Sequence, residues 1–233
     1  MIQPPSHSRP VNPLPWSVVV LFGAIVAVEL FLSAAGSQVF RGFDGMGLQA
    51  AGWRVWTIEK LAFFDTLFHD LIARADWTSH HWLRMLTYPF VHGGLGHAAM
   101  ASVFILAIGK FVGEVFAPLS MFALFIAATF AGALAYGLFL DDPLQLMGAY
   151  PPAYGFIGAF TYLMWTNLTR QGENRWRAFT LIGFLLAIQL VFGLLFGANR
   201  LWVADIAGFA AGFAVSPLLA PGGIGALTAR LRG

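Results

Sequence analysis

The stretch "LMGAYPPAYGFIGAF", residues 146–160, decides the fold. Gly155, Gly158 and Ala159 place small side chains where neighbouring helices can approach closely inside a membrane. Pro151 and Pro152 stand at the start, where first-turn N–H groups have no intrahelical partner and a fixed φ suits the helix. The unexpected residue is Tyr150, because glycine-rich helix starts of this kind usually carry something smaller.

The composition around this stretch is that of a membrane protein. The chain has 233 residues, 58% hydrophobic and 10% charged, with a mean hydropathy of +0.73. That leaves too little polar surface for a water-soluble globule. A span of the roughly 30 Å hydrocarbon layer needs about 20 apolar residues, and six stretches qualify: about 15–35, 92–115, 117–140, 150–168, 178–198 and 201–219. The expected architecture is an all-α polytopic bundle of six transmembrane helices. It divides into a proline-rich cytoplasmic tail (1–14), a membrane domain (15–220) and a basic cytoplasmic tail (221–233). The first span lacks the short apolar core and cleavage site of a secretory signal and is read as retained.

Residues 36–91 form the one long connection. Within "WRVWTIEKLAFFDTLFHDLIARADW", Leu61, Phe64, Leu67, Phe68, Leu71 and Ile72 recur at helical spacing, while Asp65, His69, Asp70 and Arg74 take other faces. This predicts a helix lying in the interface with tryptophans at headgroup depth. Charge sets the orientation. Arg170, Arg175 and Arg177 lie between the fourth and fifth spans, Arg230 and Arg232 in the tail, and Asp141 and Asp142 after the third span, so both termini are expected in the cytoplasm. Arg41, Arg54, Lys60, Arg74 and Arg84 are balanced within the long loop by Asp44, Glu59, Asp65, Asp70 and Asp76. The compact form and the absence of a targeting segment point to a bacterial cytoplasmic membrane.

The formal charge of +2 does not imply nucleic acid, and the lack of cysteine excludes disulfides, thiolate metal sites and a cysteine nucleophile. No matching interrupted helices recur in two halves, which argues against a transporter. Ionisable groups inside spans are costly and each needs a reason. Lys110 and Glu114, four apart, are expected to pair. Glu29 shows no sequence-local partner, so its role is left open between structure and function. Asp205, about a turn into the last span and just before the Gly208–Gly212 pair, calls for a donor on the neighbouring helix. His92 and His97, five residues apart, would face different ways on a helix and lack a third ligand, so no metal or other cofactor is expected. His69, His80 and His81 show no ligand spacing.

Taken in order over residues 77–220, "RMLTYPFVHGGLGH", "GKFVGE", "GAYPPAYGFIGAF" and "ADIAGFAAGF" resemble the rhomboid family of intramembrane serine proteases. The resemblance implies a helical bundle with a catalytic cavity and a large first loop lying partly in the membrane. Residue by residue, Gly148 and Ala149 match the start of the family's fourth core helix, but Tyr150 takes the place of its serine nucleophile and Pro151 that of the following glycine. Asp205 takes the place of the histidine base. His97 matches the second-helix histidine that helps hold the oxyanion, Ala101 replaces its asparagine partner, and His92 matches the loop histidine. Arg84 fits the first-loop tryptophan–arginine pair, with Trp82 displaced by one.

The chemistry agrees with the motif comparison. A serine hydrolase needs a nucleophile within reach of a base, with donors aimed at the oxyanion. No histidine follows His97, no serine lies between Ser120 and Ser216, and Pro151 has no N–H. Tyr150 is expected to fill the cavity and donate its hydroxyl to Asp205. Gly155, Gly158 and Ala159 are expected to meet Ala204, Gly208 and Gly212. The chain is therefore read as a rhomboid-like pseudoprotease, not an enzyme, whose partners are membrane lipid and transmembrane helices of client proteins, for trafficking, quality control or assembly. The alternatives are an accessory subunit of a larger membrane complex and an endopeptidase with an altered Tyr150/Asp205 site.

Overall fold

A computed structural model describes residues 13–35, 46–141, 144–196 and 200–223. Most of both tails, together with Arg41, Asp44, Asp142, Arg230 and Arg232, lies outside the described residues. The described chain is helical: α1 (Trp16–Ala35), α2 (Met46–Leu61), α3 (Asp65–Ala73), the short α4 (Arg84–Thr87), α5 (Leu95–Gly113), α6 (Pro118–Phe139), α7 (Tyr150–Arg170), α8 (Thr180–Phe196) and α9 (Trp202–Leu219).

Five of these, α1, α5, α6, α8 with its preceding turn, and α9, are long and apolar enough to cross a membrane. The sixth expected span, 150–168, is α7, a helix of 21 residues that is long enough but less apolar. Its position explains the difference. Every residue from Pro151 to Ala159 is buried, and α5, α6 and α9 surround it, so its side chains meet protein instead of lipid. The opposite extreme is α8, which exposes Phe184, Leu190, Phe192 and Leu194 and touches the bundle lightly.

The largest helix contact joins α7 and α9. A Cβ at Gly208 would collide with the Pro151 carbonyl, and one at Gly212 with the Gly155 carbonyl. In the other direction, a Cβ at Gly158 would strike the Phe209 carbonyl, and one at Gly155 the Ala128 side chain of α6. The two backbones touch, and dispersion across that contact stabilises the pair where lipid offers no hydrophobic drive. A main core of Val18, Ile25, Ile105, Met121, Leu124 and Phe156 fastens α1, α5 and α6 to α7.

The first loop is not one helix. It breaks at 62–64, because Phe63 leaves helical geometry to form an antiparallel bridge with Leu146: its N–H donates to the Leu146 carbonyl at 3.0 Å, and the Leu146 N–H returns the bond at 2.8 Å. Phe68 of α3 then packs on Gly137 of α6, where a Cβ would overlap its ring. Lys110 and Glu114 do not form an ion pair. Among the described residues the ion pairs are Arg54–Glu29, Arg74–Asp70 and Arg177–Glu173. Glu114 instead caps α5, its backbone N–H bonded to the Lys110 carbonyl, with its side chain exposed.

The glycine contacts make a paired test. Gly208→Leu is expected to destabilise the protein by roughly 1–3 kcal/mol or more, since the colliding atom is backbone and cannot swing aside. Gly23→Leu, with nothing within 4 Å of its Cβ direction, is expected to be neutral. Unfolding midpoints in lipid–detergent micelles under increasing dodecyl sulfate compare the two.

Candidate functional site

The start of α7 is fixed by the loop before it. Gly148 has φ +95°, a conformation that favours glycine, and its N–H donates to the Tyr88 carbonyl at 3.0 Å. A Cβ there would lie 2.8 Å from Cε1 of His97 and 3.4 Å from Cδ2 of His92, so two imidazoles enclose the turn. His92 Nε2 accepts the Ala149 N–H at 3.2 Å, which leaves the ring proton on Nδ1. His97 Nδ1 accepts the Gly93 N–H at 3.3 Å, leaving its proton on Nε2. The two rings meet edge to face with centroids 5.2 Å apart. They do not diverge as helical spacing predicts, because His92 precedes the first residue of α5. Among the described residues no three metal-ligating side chains cluster.

Tyr150 begins α7, and its ring lies nearly flat on His97, with centroids 5.2 Å apart and planes 20° apart. Asp205, 6% exposed, faces the same space from the first turn of α9. The expected hydrogen bond between them is not made. Oδ2 of Asp205 accepts from Nε2 of Gln189 on α8 at 3.1 Å, so an amide takes the place foreseen for the phenol, whose ring plane is set by stacking on His97. Gln189 is the site residue that sequence reading missed, although it is the one strongly polar side chain within α8.

Together, His97, Tyr150, Gln189 and Asp205 line a cavity of about 760 Å³ whose other walls include Leu186, Leu190, Leu194, Trp202 and Ile206. Among the described residues its lining holds no serine, threonine, cysteine, lysine or arginine.

A second polar cluster supports this site from behind. Arg54 on α2 grips Glu29 of α1 with two parallel bonds, 3.0 Å from Nη1 to Oε2 and 2.8 Å from Nη2 to Oε1, and also donates to the His92 carbonyl at 2.9 Å. The Ser33 hydroxyl adds a bond to Glu29 at 2.8 Å, so the carboxylate does have a local partner, one turn on. Glu29 is thus part of a tie running from α1 through α2 to His92 and on to Ala149. In the first loop Arg84 donates to the Ala62 carbonyl at 2.9 Å and lies over the Phe64 ring, and burial pushes its guanidinium below its ordinary pKa.

Residues 79–222 match the Rhomboid domain, well over half of the chain. The protein belongs to the rhomboid family. Similar proteins include RHOMBOID-like protein 4 of Arabidopsis thaliana, 28% identical over 130 residues, 56% of this chain and 32% of that protein. Rhomboid protease GluP of Bacillus subtilis (strain 168) is 28% identical over 109 residues, 47% of this chain and 20% of that protein. This rhomboid chain therefore spans about a third or less of the length of these relatives. The matched region runs from the turn before Arg84 to the end of α9, and it contains every described residue that lines the cavity.

The Glu29–Arg54 tie is testable by a double-mutant cycle. Arg54→Ala strands a carboxylate that is 2% exposed; it is expected to cost on the order of 2 kcal/mol, less than the roughly 3–5 kcal/mol of a fully buried pair because the Arg54 side chain is 24% exposed. Arg54→Ala with Glu29→Gln is expected to cost less than the sum of the single changes. Additive effects on the unfolding midpoint would remove the tie from the account.

Proposed function

We propose that this protein is a rhomboid pseudoprotease: a family member that keeps the intramembrane cavity and holds transmembrane segments of membrane-protein clients there without cutting them. The observation that carries this reading is the occupancy of the two decisive positions. The phenol of Tyr150 is stacked on His97 and the carboxylate of Asp205 is bonded to Gln189, so no nucleophile faces a base across the cavity. Tyrosine's ordinary pKa, near 10, makes it a poor nucleophile without an adjacent acceptor. Pro151, next in the chain, offers no N–H to an oxyanion.

The rest of the site is suited to contact. The cavity is walled mainly by aliphatic side chains, and α8, the helix that closes one side, packs lightly on α7. The family supplies an intramembrane fold built to admit polypeptide, and this chain retains the glycine contacts that hold α7 to α9. In the proposed orientation Arg170, Arg175 and Arg177 lie on the cytoplasmic side and the cavity opens at the opposite end, where α5, α7 and α9 begin.

A photo-cross-linking amino acid at Leu186, which lines the cavity, is expected to capture single-span membrane proteins at their full, uncut length from native membranes. The same group at Phe184, which faces lipid, is expected to capture far fewer. Equal capture from both positions overturns the reading. Capture of one partner in fixed one-to-one ratio from both assigns the protein to a permanent complex.

A further inference from the structure

The cavity is chemically one-sided. Asp205 uses one oxygen on Gln189, whereas a carboxylate has capacity for about four hydrogen bonds. The other end of that amide, Oε1 of Gln189, is buried with no hydrogen-bond partner among the described residues. Two acceptors from α8 and α9 therefore meet in one place, and no lysine or arginine among the described lining answers them. Around Asp205 lie His97 of α5 and Tyr150 of α7, which stack on each other, together with the buried phenols of Tyr154 on α7 and of Tyr88, whose hydroxyl donates to the Thr129 carbonyl; none of them is hydrogen-bonded to the carboxylate. An unanswered buried acceptor is costly, and a buried carboxyl more so.

We propose that the client segment this cavity takes carries a lysine or arginine whose N–H groups are received by Asp205 and Gln189. The inference rests on the client-binding reading above and names its chemical class. An arriving ammonium favours the ionised form of the carboxyl and makes a charge-assisted bond to it, while the second acceptor takes a further N–H. The walls fit the remainder of such a segment. Leu186, Leu190, Leu194 and Ile206 form an apolar surface along which the aliphatic stem of a basic side chain can lie. Asp205 is the fourth residue of α9, so the basic residue belongs about 4.5 Å, three residues' rise and just under one turn, below the end of the bundle where α7 and α9 begin.

The test uses the full chain in phosphatidylcholine vesicles with the photo-cross-linker at Leu186. Three synthetic leucine–alanine single-span helices are the probes, identical except for lysine, leucine or glutamate one turn below that membrane surface. The lysine helix is expected to be captured about tenfold more than the leucine helix, the scale of one hydrogen bond to a charged group. Asp205→Asn, confirmed folded by its unfolding midpoint, is expected to bring lysine capture down to the leucine level, and Gln189→Leu to lower it partway. Equal capture of the lysine and leucine helices, preference for glutamate, or lysine capture indifferent to Asp205→Asn overturns this inference and leaves client binding standing. Capture of none of the three overturns both. Loss of the lysine preference when phosphatidylethanolamine is added assigns the acceptors to a lipid amine and overturns the inference.

Discussion

The backbone of α7 lies directly against the backbone of α9, and the rest of the molecule depends on that contact. Gly208 and Gly212 admit the carbonyls of Pro151 and Gly155, while Gly158 admits that of Phe209. Any side chain at these points would push the helices apart, and Tyr150 and Asp205, which sit on their first turns, would separate with them. Close approach also explains why α7 need not be strongly apolar. A helix enclosed by α5, α6 and α9 is solvated by protein, so tyrosine, threonine and proline are tolerated in it.

A second constraint comes from polar groups that cannot be left unanswered in the membrane. Glu29, Arg54, the His92 carbonyl and the Ala149 N–H form a continuous line from the first helix to the start of α7. Each member satisfies another, so α2 is tied to the bundle by a short-range network, while its Trp53, Val55 and Trp56 stay exposed. The outcome is a rigid wall behind His92 and His97 and a lightly packed wall at α8.

Much of the architecture was legible in the sequence because bilayer thickness and helical rise leave few choices for long apolar runs. The start of α7 was legible because prolines suit the first turn of a helix, and the Gly208–Gly212 pair because only small residues fit where backbones touch. What could not be read were contacts between distant residues. The Phe63–Leu146 bridge, which breaks the first-loop helix, joins segments far apart in the chain, and the Arg54 partner of Glu29 lies on another element. Lys110 and Glu114 show the converse, where favourable spacing produced no pair because Glu114 falls at the helix cap. In the cavity, sequence comparison singled out Tyr150 and Asp205, but not that His97 would hold the phenol by stacking and Gln189 would take the carboxylate. A lone amide in an apolar helix was the available signal.

The rhomboid domain of this chain carries Tyr150 and Asp205 in its cavity, and the pseudoprotease reading proposed for it holds that this pair breaks no bond. The most direct measurement is intact-mass analysis of single-span membrane proteins incubated for hours with the pure protein in lipid vesicles. Every substrate is expected at full length, with no more product than in vesicles lacking the protein. A cleavage product that disappears on Tyr150→Phe or Asp205→Asn contradicts that reading.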